Sequence, residues 1–144
     1  MAASNAMIGY GTRVLLESPT SPTDSPPTYI EMDEILNVTP PNQQIDDVEV
    51  THNSSPLRTK EFIAGLIDPG TAGWEMNFIP GSVSDIALRS AQQAGARLSC
   101  QMIFPNFATW TFESIVKGYE VTSATESKMT AKVTLKTAGS VVAT

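Results

Sequence analysis

Apolar and polar residues alternate with a period of two through much of the second half of the chain, notably over residues 98–104 and 129–136. Successive side chains of a β-strand point to opposite faces of a sheet, so this period places the apolar residues on one face. In a helix the same residues would be spread around the whole circumference. The chain is therefore predicted to be mainly β, with a sandwich or barrel-like fold.

The parity of this alternation changes once within a single strand-like stretch. Phe112 and Val116 share one face, whereas Tyr119 and Val121 fall on the other. One extra residue in a strand produces such a shift, because two residues then lie opposite one residue of the neighbouring strand. We predict a β-bulge near residues 117–118.

One flanking helix is predicted, over about residues 82–95. Ser82 is a suitable N-cap, Asp85 suits the positive end of the helix dipole, and Gly95 is a suitable C-cap. Five apolar residues recur at helical spacing and predict the buried face: Val83, Ile86, Ala87, Ala91 and Ala94.

The first half of the chain is richer in turn-forming residues. Strands are predicted there at residues 13–17, 29–38 (interrupted or not), 61–67 and 74–78. Four prolines between residues 18 and 28 predict a surface loop. A second polar segment, residues 39–60, is predicted to be a long protruding loop with a strand-like alternation at residues 45–51.

Charge and the scarcity of reactive side chains limit the function. The net charge is −6, and a surface that wraps DNA needs clustered Lys and Arg, so DNA wrapping is disfavoured. The lone histidine, His52, lies in the polar loop, and no Gly-x-Ser-x-Gly elbow accompanies it, which disfavours a serine hydrolase using Asp46 or Asp47. No catalytic residue and no cofactor is expected.

A metal centre is also not expected. The one cysteine, Cys100, falls on the apolar face of its strand, and one His with one Cys is too few for a zinc site. Acidic runs at residues 31–34 and 46–49 admit a calcium ion or an acidic surface, with a solvated face as the default. No signal peptide and no membrane-spanning apolar run is visible, so synthesis and folding in the cytoplasm are expected.

Three stretches, taken in order, resemble the tail tube proteins (major tail proteins) of siphophages. The first is AMIGYGT at residues 6–12. The second runs from DVEVT at residues 47–51 through FIAGLIDPG at residues 62–70. The third is WEMNF at residues 74–78, followed by the helix and the closing strands to residue 137. The resemblance covers nearly the whole chain, and a single domain is expected over residues 1–144.

The resemblance implies a structural virion protein of the phage tail, made in the host cytoplasm, and not an enzyme. Six copies would join into a ring, and rings would stack into a hollow tube. The tube would enclose the tape measure protein and conduct double-stranded DNA during ejection. Tail initiator (distal tail) and tail terminator proteins would be further partners, and no small-molecule substrate is implied.

Particular segments receive roles from the same resemblance. Residues 1–11 would be a flexible N-terminal arm carrying Ile8 and Tyr10, and residues 138–144 a C-terminal tail. The loop at residues 39–60 would contact the next ring and become ordered there. Its candidate contact residues are Ile45, Asp47, Val48, Val50, His52, Leu57 and Arg58. The lumen is expected to be net acidic or neutral, with the candidate carboxylates Glu75, Glu113 and Glu120.

Other classes remain open from the sequence. A capsid decoration or tail-completion protein would share the β-rich, acidic profile. An inner-tube protein of a contractile or type VI secretion system would also form hexameric rings. A small hydrolase or a carbohydrate-binding module is a third class, and the binding module would need Trp74 and Trp110 to be exposed, against their predicted place on buried faces.

Overall fold

The computed structural model describes residues 3–19 and 28–144, which contain ten strands and one α-helix. The mainly β fold with one helix is confirmed. The proline-rich loop predicted at residues 18–28 falls largely on residues 20–27, outside the described part. The elements are β1 (Arg13–Glu17), β2 (Tyr29–Glu31), β3 (Ile35–Thr39), β4 (Gln44–Glu49), β5 (Phe62–Asp68), β6 (Thr71–Asn77), α1 (Val83–Ala94), β7 (Leu98–Ile103), β8 (Thr109–Thr122), β9 (Thr130–Thr137) and β10 (Val142–Ala143).

Seven strands form a hydrogen-bonded sheet in the order β2-β1-β7-β8-β9-β6-β3, and β10 pairs with β8 as the eighth. Every pair in this sheet is antiparallel. The predicted strand at residues 29–38 is interrupted, since β2 ends at Glu31 and β3 begins at Ile35. The segment predicted as a C-terminal tail contributes β10, whose partners in β8 are Trp110 and Thr111.

The long strand β8 joins the two halves of this sheet. Its residues up to Ser114 pair with β7, and those from Ser114 onward pair with β9. The register shifts between Val116 and Gly118, which confirms the bulge predicted at residues 117–118. A bulge bends its strand, and the buried side chains of both halves meet in one cluster.

The core of this cluster follows the alternation seen in the sequence. The strand β7 buries Leu98, Cys100 and Met102, and β9 buries Ala131, Val133 and Leu135. The Cys100 thiol is fully buried, as predicted from its place on the apolar face. Burial raises its pKa to about 12. The core is completed by side chains of β1, β6, β8 and the helix, among them Leu16, Trp74, Leu88 and Phe112.

The predicted caps of α1 are both present. The Ser82 hydroxyl oxygen accepts a hydrogen bond from the Asp85 amide at 3.2 Å. Gly95 has φ of 62°, a left-handed conformation that costs glycine little, and its amide donates to the Ala91 carbonyl oxygen. The helix therefore begins and ends where the sequence predicts.

The predicted buried face of α1 is partly wrong. Val83, Ile86 and Ala94 are exposed, whereas Asp85 and Leu88 are buried. The physical reason is the Asp85 carboxylate, which accepts hydrogen bonds from the Tyr119 hydroxyl at 2.8 Å and the Gly81 amide at 3.1 Å. These contacts fix the rotation of the helix about its axis and turn Leu88 towards the core.

Candidate assembly surfaces

A two-stranded hairpin projects from the main sheet. Its strands β4 and β5 pair with each other and, within the described residues, with no other strand. The segment at residues 39–60 was predicted to be a long loop. In the structure most of it belongs to an ordered hairpin that runs from Gln44 to Asp68. Residues 50–61 form its tip, which includes a short 3-10 turn at Pro56–Arg58.

The hairpin presents an apolar pair on each of its faces. Ile45 lies directly opposite Ile67, and Val48 lies directly opposite Ile63. Because Ile45 and Val48 are three residues apart on β4, their side chains point to opposite faces. All four are exposed, from 43% for Val48 to 60% for Ile67. Neither face packs on the core, so both faces leave apolar surface in water.

Further apolar side chains extend this surface. Val50, Phe62 and Leu66 are also exposed, and Leu66 is 85% exposed. Large apolar side chains exposed together on one element mark sites of protein association in soluble proteins. A two-stranded hairpin without a covered face is at best marginally stable alone, which also favours a partner.

The tip of the hairpin has a strained backbone. Leu57 and Arg58 both have positive φ, 52° and 58°, a conformation that non-glycine residues rarely adopt. Leu57 is 94% exposed, and its carbonyl oxygen accepts a 3.4 Å hydrogen bond from the Thr59 hydroxyl. Strain of this kind persists where the surroundings favour it and is associated with functional positions.

His52 does not form a catalytic triad. Its Nδ1 accepts a hydrogen bond from the Ser54 amide, and its Nε2 lies 3.5 Å from the Glu61 carboxylate. The Ser55 hydroxyl donates to the same carboxylate at 2.7 Å and not to the imidazole. The histidine therefore cannot take the serine proton, and these contacts close the turn at the tip. Asp46 and Asp47 lie on β4, outside these contacts.

The hairpin also carries much of the acidity of the chain. Between residues 44 and 68 there are five carboxylates and two basic residues, a net charge of −3 out of −6 for the whole chain. The carboxylates are Asp46, Asp47, Glu49, Glu61 and Asp68. The acidic run at residues 46–49, for which a solvated face was the default expectation, lies on this hairpin and is exposed. In the other acidic run, Glu31 is paired with Arg13 at 2.8 Å.

The N-terminal residues border a second surface. Residues 3–12 belong to no strand or helix, and Ile8 and Tyr10 are 79% and 89% exposed. A groove of about 1110 Å³ lies between them, β3, Phe104 of the turn after β7, and Trp110 of β8. The N-terminal segment thus leaves room beside the free edge of β3.

The three carboxylates predicted for the lumen have different neighbours. Glu75 and Glu120 both lie directly opposite Lys132, one on each side of β9. Glu113 lies before the bulge, on the outward side of the other half of the sheet, and forms an ion pair with Arg97 at 2.5 Å. All three lie on outward positions of their strands, with Glu113 before the bulge in β8 and Glu120 after it.

Neither a metal centre nor an aromatic binding platform is apparent in the described residues. They contain no group of three His, Cys, Asp or Glu side chains placed to hold a metal ion. Trp74 is buried, and Trp110 is half-buried in an edge-to-face contact with Phe104 at 5.6 Å. In the same residues no helix has the length and apolar character to cross a membrane.

The fold and its exposed apolar hairpin define a structural protein suited to association with other chains. The profile of the lambda phage tail tube protein family matches residues 12–144, so this chain belongs to that family. It is therefore a structural component of the tail tube in the virion, and not an enzyme. A comparison with curated protein sequences finds no match.

Solved structures share the fold at low sequence identity. The tail of an empty gene transfer agent particle with C6 symmetry is 15% identical, with a TM-score of 0.74 over 96% of this chain and 99% of that chain. The SPP1 tail tube is 13% identical, with a TM-score of 0.67 over 96% of this chain and 78% of that chain. The sheath/tube terminator of an extracellular contractile injection system is 12% identical, with a TM-score of 0.73 over 99% of both chains.

Proposed function

We propose that six copies of this chain form a ring and that rings stack into a hollow tail tube. The tube encloses the tape measure protein during assembly and conducts double-stranded DNA during ejection. Tail initiator and tail terminator proteins close its two ends. Membership of the tail tube family supports this proposal, as does the C6 symmetry of the similar gene transfer agent tail.

The exposed hairpin is the observation that carries the proposal. Apolar pairs on both of its faces suit a segment inserted between other copies of the chain, because a single partner would cover only one face. Burying the exposed part of each of these side chains contributes about 1 kcal/mol, since roughly half of each is already covered. Summed over a ring of copies, such contacts favour a closed and repeated assembly.

Each surface has a role in this assembly. The hairpin, with Ile45, Asp47, Val48, Val50, His52, Leu57 and Arg58, contacts the adjacent ring. The N-terminal arm, with Ile8 and Tyr10, leaves its own subunit to contact a neighbour, and the groove beside β3 receives part of a neighbouring copy. The hairpin becomes rigid when these contacts form.

Removal of the hairpin tests the proposal. Residues 45–67 are replaced by a short Gly-Ser linker, which the base of the hairpin can accommodate because the Asn42 amide lies 3.4 Å from the Thr71 carbonyl oxygen. The main sheet does not include β4 or β5, so the shortened chain is expected to stay folded. Electron microscopy and sedimentation velocity should show tubes for the full chain and monomers for the shortened one.

A matched control changes a residue at the tip of the hairpin and leaves the apolar pairs of β4 and β5 in place. Asn53→Ser alters an exposed polar residue at the tip and is expected to keep tube formation. Tubes from the shortened chain would contradict the role of the hairpin. A full-length chain that stays monomeric at high concentration, even with tail initiator present, would contradict the proposal that the chain forms a tube.

A second candidate is the inner tube of a contractile injection system, favoured by the likeness to a contractile sheath/tube terminator. Such a tube is surrounded by a sheath, so its outer surface must bind sheath subunits. The two candidates differ in the genes beside the coding sequence and in co-sedimentation with a sheath protein encoded there. A tail cluster without a sheath gene contradicts this second candidate.

A further inference from the structure

The hairpin carries opposite charges along its strands and at its tip. The acidic residues of β4 and β5 are Asp46, Asp47, Glu49 and Asp68. The two basic residues of the hairpin, Arg58 and Lys60, both lie in the tip and are exposed. Neither forms an ion pair with another residue of the described ranges. The tip therefore presents two unpaired cations at the end of an acidic element.

Hydrogen bonds within the tip favour one conformation of its turn. The Ser55 hydroxyl accepts a 2.9 Å hydrogen bond from the His52 amide and donates to the Glu61 carboxylate. The turn between these residues exposes Leu57 and Arg58, and Leu57 is 94% exposed. A segment that is ordered before it binds loses less conformational entropy in the contact. The tip thus presents an apolar side chain beside a cation in a conformation suited to binding.

The groove beside β3 has apolar walls and an acidic turn. Its lining includes the apolar side chains of Met7, Ile8, Ile35, Leu36 and Phe104. Three carboxylates also line it, those of Glu31, Asp33 and Glu34. The Glu31 carboxylate is paired with Arg13, whereas Asp33 and Glu34 form no ion pair within the described residues. The groove therefore presents two unpaired carboxylates beside apolar side chains.

The tip and the groove are complementary in charge, polarity and size. The two cations of the tip match the two carboxylates of the groove in number, and surfaces of opposite charge favour association. Leu57 matches the apolar walls. The groove volume of about 1110 Å³ exceeds the roughly 300–1,000 Å³ of pockets that enclose drug-sized ligands, so a turn of three residues can enter it.

The strands of the hairpin are a second acidic surface that the tip could contact. A two-stranded ribbon covers an inserted side chain from one side only, so Leu57 would stay partly in water there. The groove, in contrast, has the N-terminal residues on one side and β3 on the other. The groove therefore fits the tip better than the strands of another hairpin do.

The tip that fits a groove belongs to another copy of the chain. Among the described residues that line the groove, none belongs to the hairpin. The hairpin leaves β3 after Thr39, whereas Asp33 and Glu34 precede the other end of that strand at Ile35. Each copy thus offers a tip beyond one end of β3 and an acidic turn at the other. A contact between two unlike surfaces is head-to-tail and repeats from copy to copy.

Resting on the tube proposed above, we infer that the hairpin tip of each subunit docks in the groove of a subunit in the next ring. Leu57 enters between β3 and the N-terminal residues, and Arg58 and Lys60 meet Asp33 and Glu34. The occupant of the groove is a second copy of this chain, and the direction of the contact gives the stack of rings its polarity.

Reversal of charge tests this contact. A tip variant carries Arg58→Glu and Lys60→Glu, a groove variant carries Asp33→Lys and Glu34→Lys, and a combined variant carries all four changes. The combined variant keeps the net charge of −6, because two cations and two anions exchange sign. All four positions are exposed, so circular dichroism should show folded monomers. Sedimentation and electron microscopy measure the lowest protein concentration at which tubes form.

The tip variant and the groove variant should each raise this concentration more than about tenfold, because like charges then meet across the contact. The combined variant should return it close to the wild-type value. An equal mixture of the tip and groove variants should also form tubes, since each tip then meets a groove of opposite charge. Lys128→Glu reverses an exposed lysine outside both surfaces, and as the control it should have little effect.

The outcomes separate this inference from the proposed function. Assembly of the tip variant at the wild-type concentration overturns the inference, and so does a combined variant that assembles no better than the tip variant. Rescue of the tip variant by Asp46→Lys with Asp47→Lys also overturns it and places the tip on the strands of a neighbouring hairpin. In all three cases the wild-type tubes remain. Failure of the wild-type chain to form tubes overturns both proposals.

Disulfide cross-linking tests the same contact if the groove variant does not fold. Leu57→Cys and Leu36→Cys are combined in one chain, and its tubes are oxidised; the native Cys100 is fully buried and does not compete. Since each chain has one tip and one groove, unreduced denatured samples should contain a ladder of multimers. Leu57→Cys with Val142→Cys is the matched control, because Val142 is 55% exposed on β10, and it should give no ladder. Absence of the ladder from the first pair overturns the inference.

Discussion

The hydroxyl of Tyr119 donates a 2.8 Å hydrogen bond to the buried carboxylate of Asp85. This contact joins the first turn of α1 to the part of β8 that follows the bulge. The bulge places Tyr119 on the inner side of the sheet, opposite Val133. The bulge in the strand and the orientation of the helix are thus linked through one hydrogen bond.

Removal of the Tyr119 hydroxyl should weaken this link. Tyr119→Phe is expected to lower the free energy of unfolding by about 1–2 kcal/mol, because a hydrogen bond to an ionised group is lost while the ring stays in place. Chemical denaturation of the monomer measures this. Tyr10→Phe is the control, since Tyr10 is 89% exposed, and it should have no measurable effect. Equal stability of Tyr119→Phe and wild type would contradict the prediction.

The ionised carboxylate of Asp85 should make the free energy of unfolding depend on pH. Burial by itself raises the pKa of this carboxyl, but hydrogen bonds from Tyr119 and Gly81 and the charge of Arg89 outweigh burial, and the pKa is lowered. The unfolded chain has a pKa of about 3.9 at this residue. The stabilisation is therefore present above that pH and is lost as the pH falls through the lower folded pKa.

The variant Asp85→Asn tests this dependence. It should be less stable than wild type at pH near 7, and the difference should narrow below a pH of about 4. Urea unfolding across this range measures it, with the exposed Glu126→Gln as control. A difference that stays constant from neutral to acid pH would show that the charge of Asp85 does not contribute.

Replacing one apolar pair of the hairpin should weaken assembly without unfolding the subunit. Val48→Thr combined with Ile63→Thr keeps two β-branched residues and removes apolar surface from one face. The concentration at which tubes form should rise, because about 1 kcal/mol per side chain is lost from the contact. Light scattering measures this concentration. Glu49→Thr is the control, and an effect as large as that of the pair would contradict the prediction.

Amide hydrogen exchange should be slowed in the hairpin by assembly. In the monomer its two strands have no covered face, so their hydrogen bonds open readily. In the tube the amides of residues 44–68 should gain protection, whereas those of β7 should be protected in both states. Equal exchange of the hairpin in monomer and tube would contradict its role in assembly.

Glycine should be required at position 73. A Cβ atom there would lie 2.4 Å from the Val133 carbonyl oxygen, so β6 and β9 would have to separate. Gly73→Ala is expected to cost about 1–3 kcal/mol of stability. Gly118→Ala is the matched control, because its nearest neighbour, the Thr134 Cβ, would be at an ordinary 3.5 Å. Thermal unfolding distinguishes them, and equal losses would contradict the prediction.

Local periodicity was sufficient to predict most of the elements. Alternation over residues 98–104 and 129–136 identified β7 and β9 with their buried faces, and the parity change identified the bulge before Gly118. Ser82 and Gly95 fixed the ends of the helix. These signals depend on side chains a few residues apart, so the sequence contains them in full.

The remaining features depend on contacts between segments that are far apart in the sequence. The face that α1 buries depends on Tyr119, 34 residues beyond Asp85, and periodicity within the helix cannot show it. Pairing of β4 with β5 turned the expected loop into a hairpin. Strand pairing put Glu75 and Glu120 on either side of Lys132, and Glu113 beside Arg97. Alternation could not show these neighbours, because it states only that a residue points outward. The surface on which it points outward is set by how the sheet folds around its core.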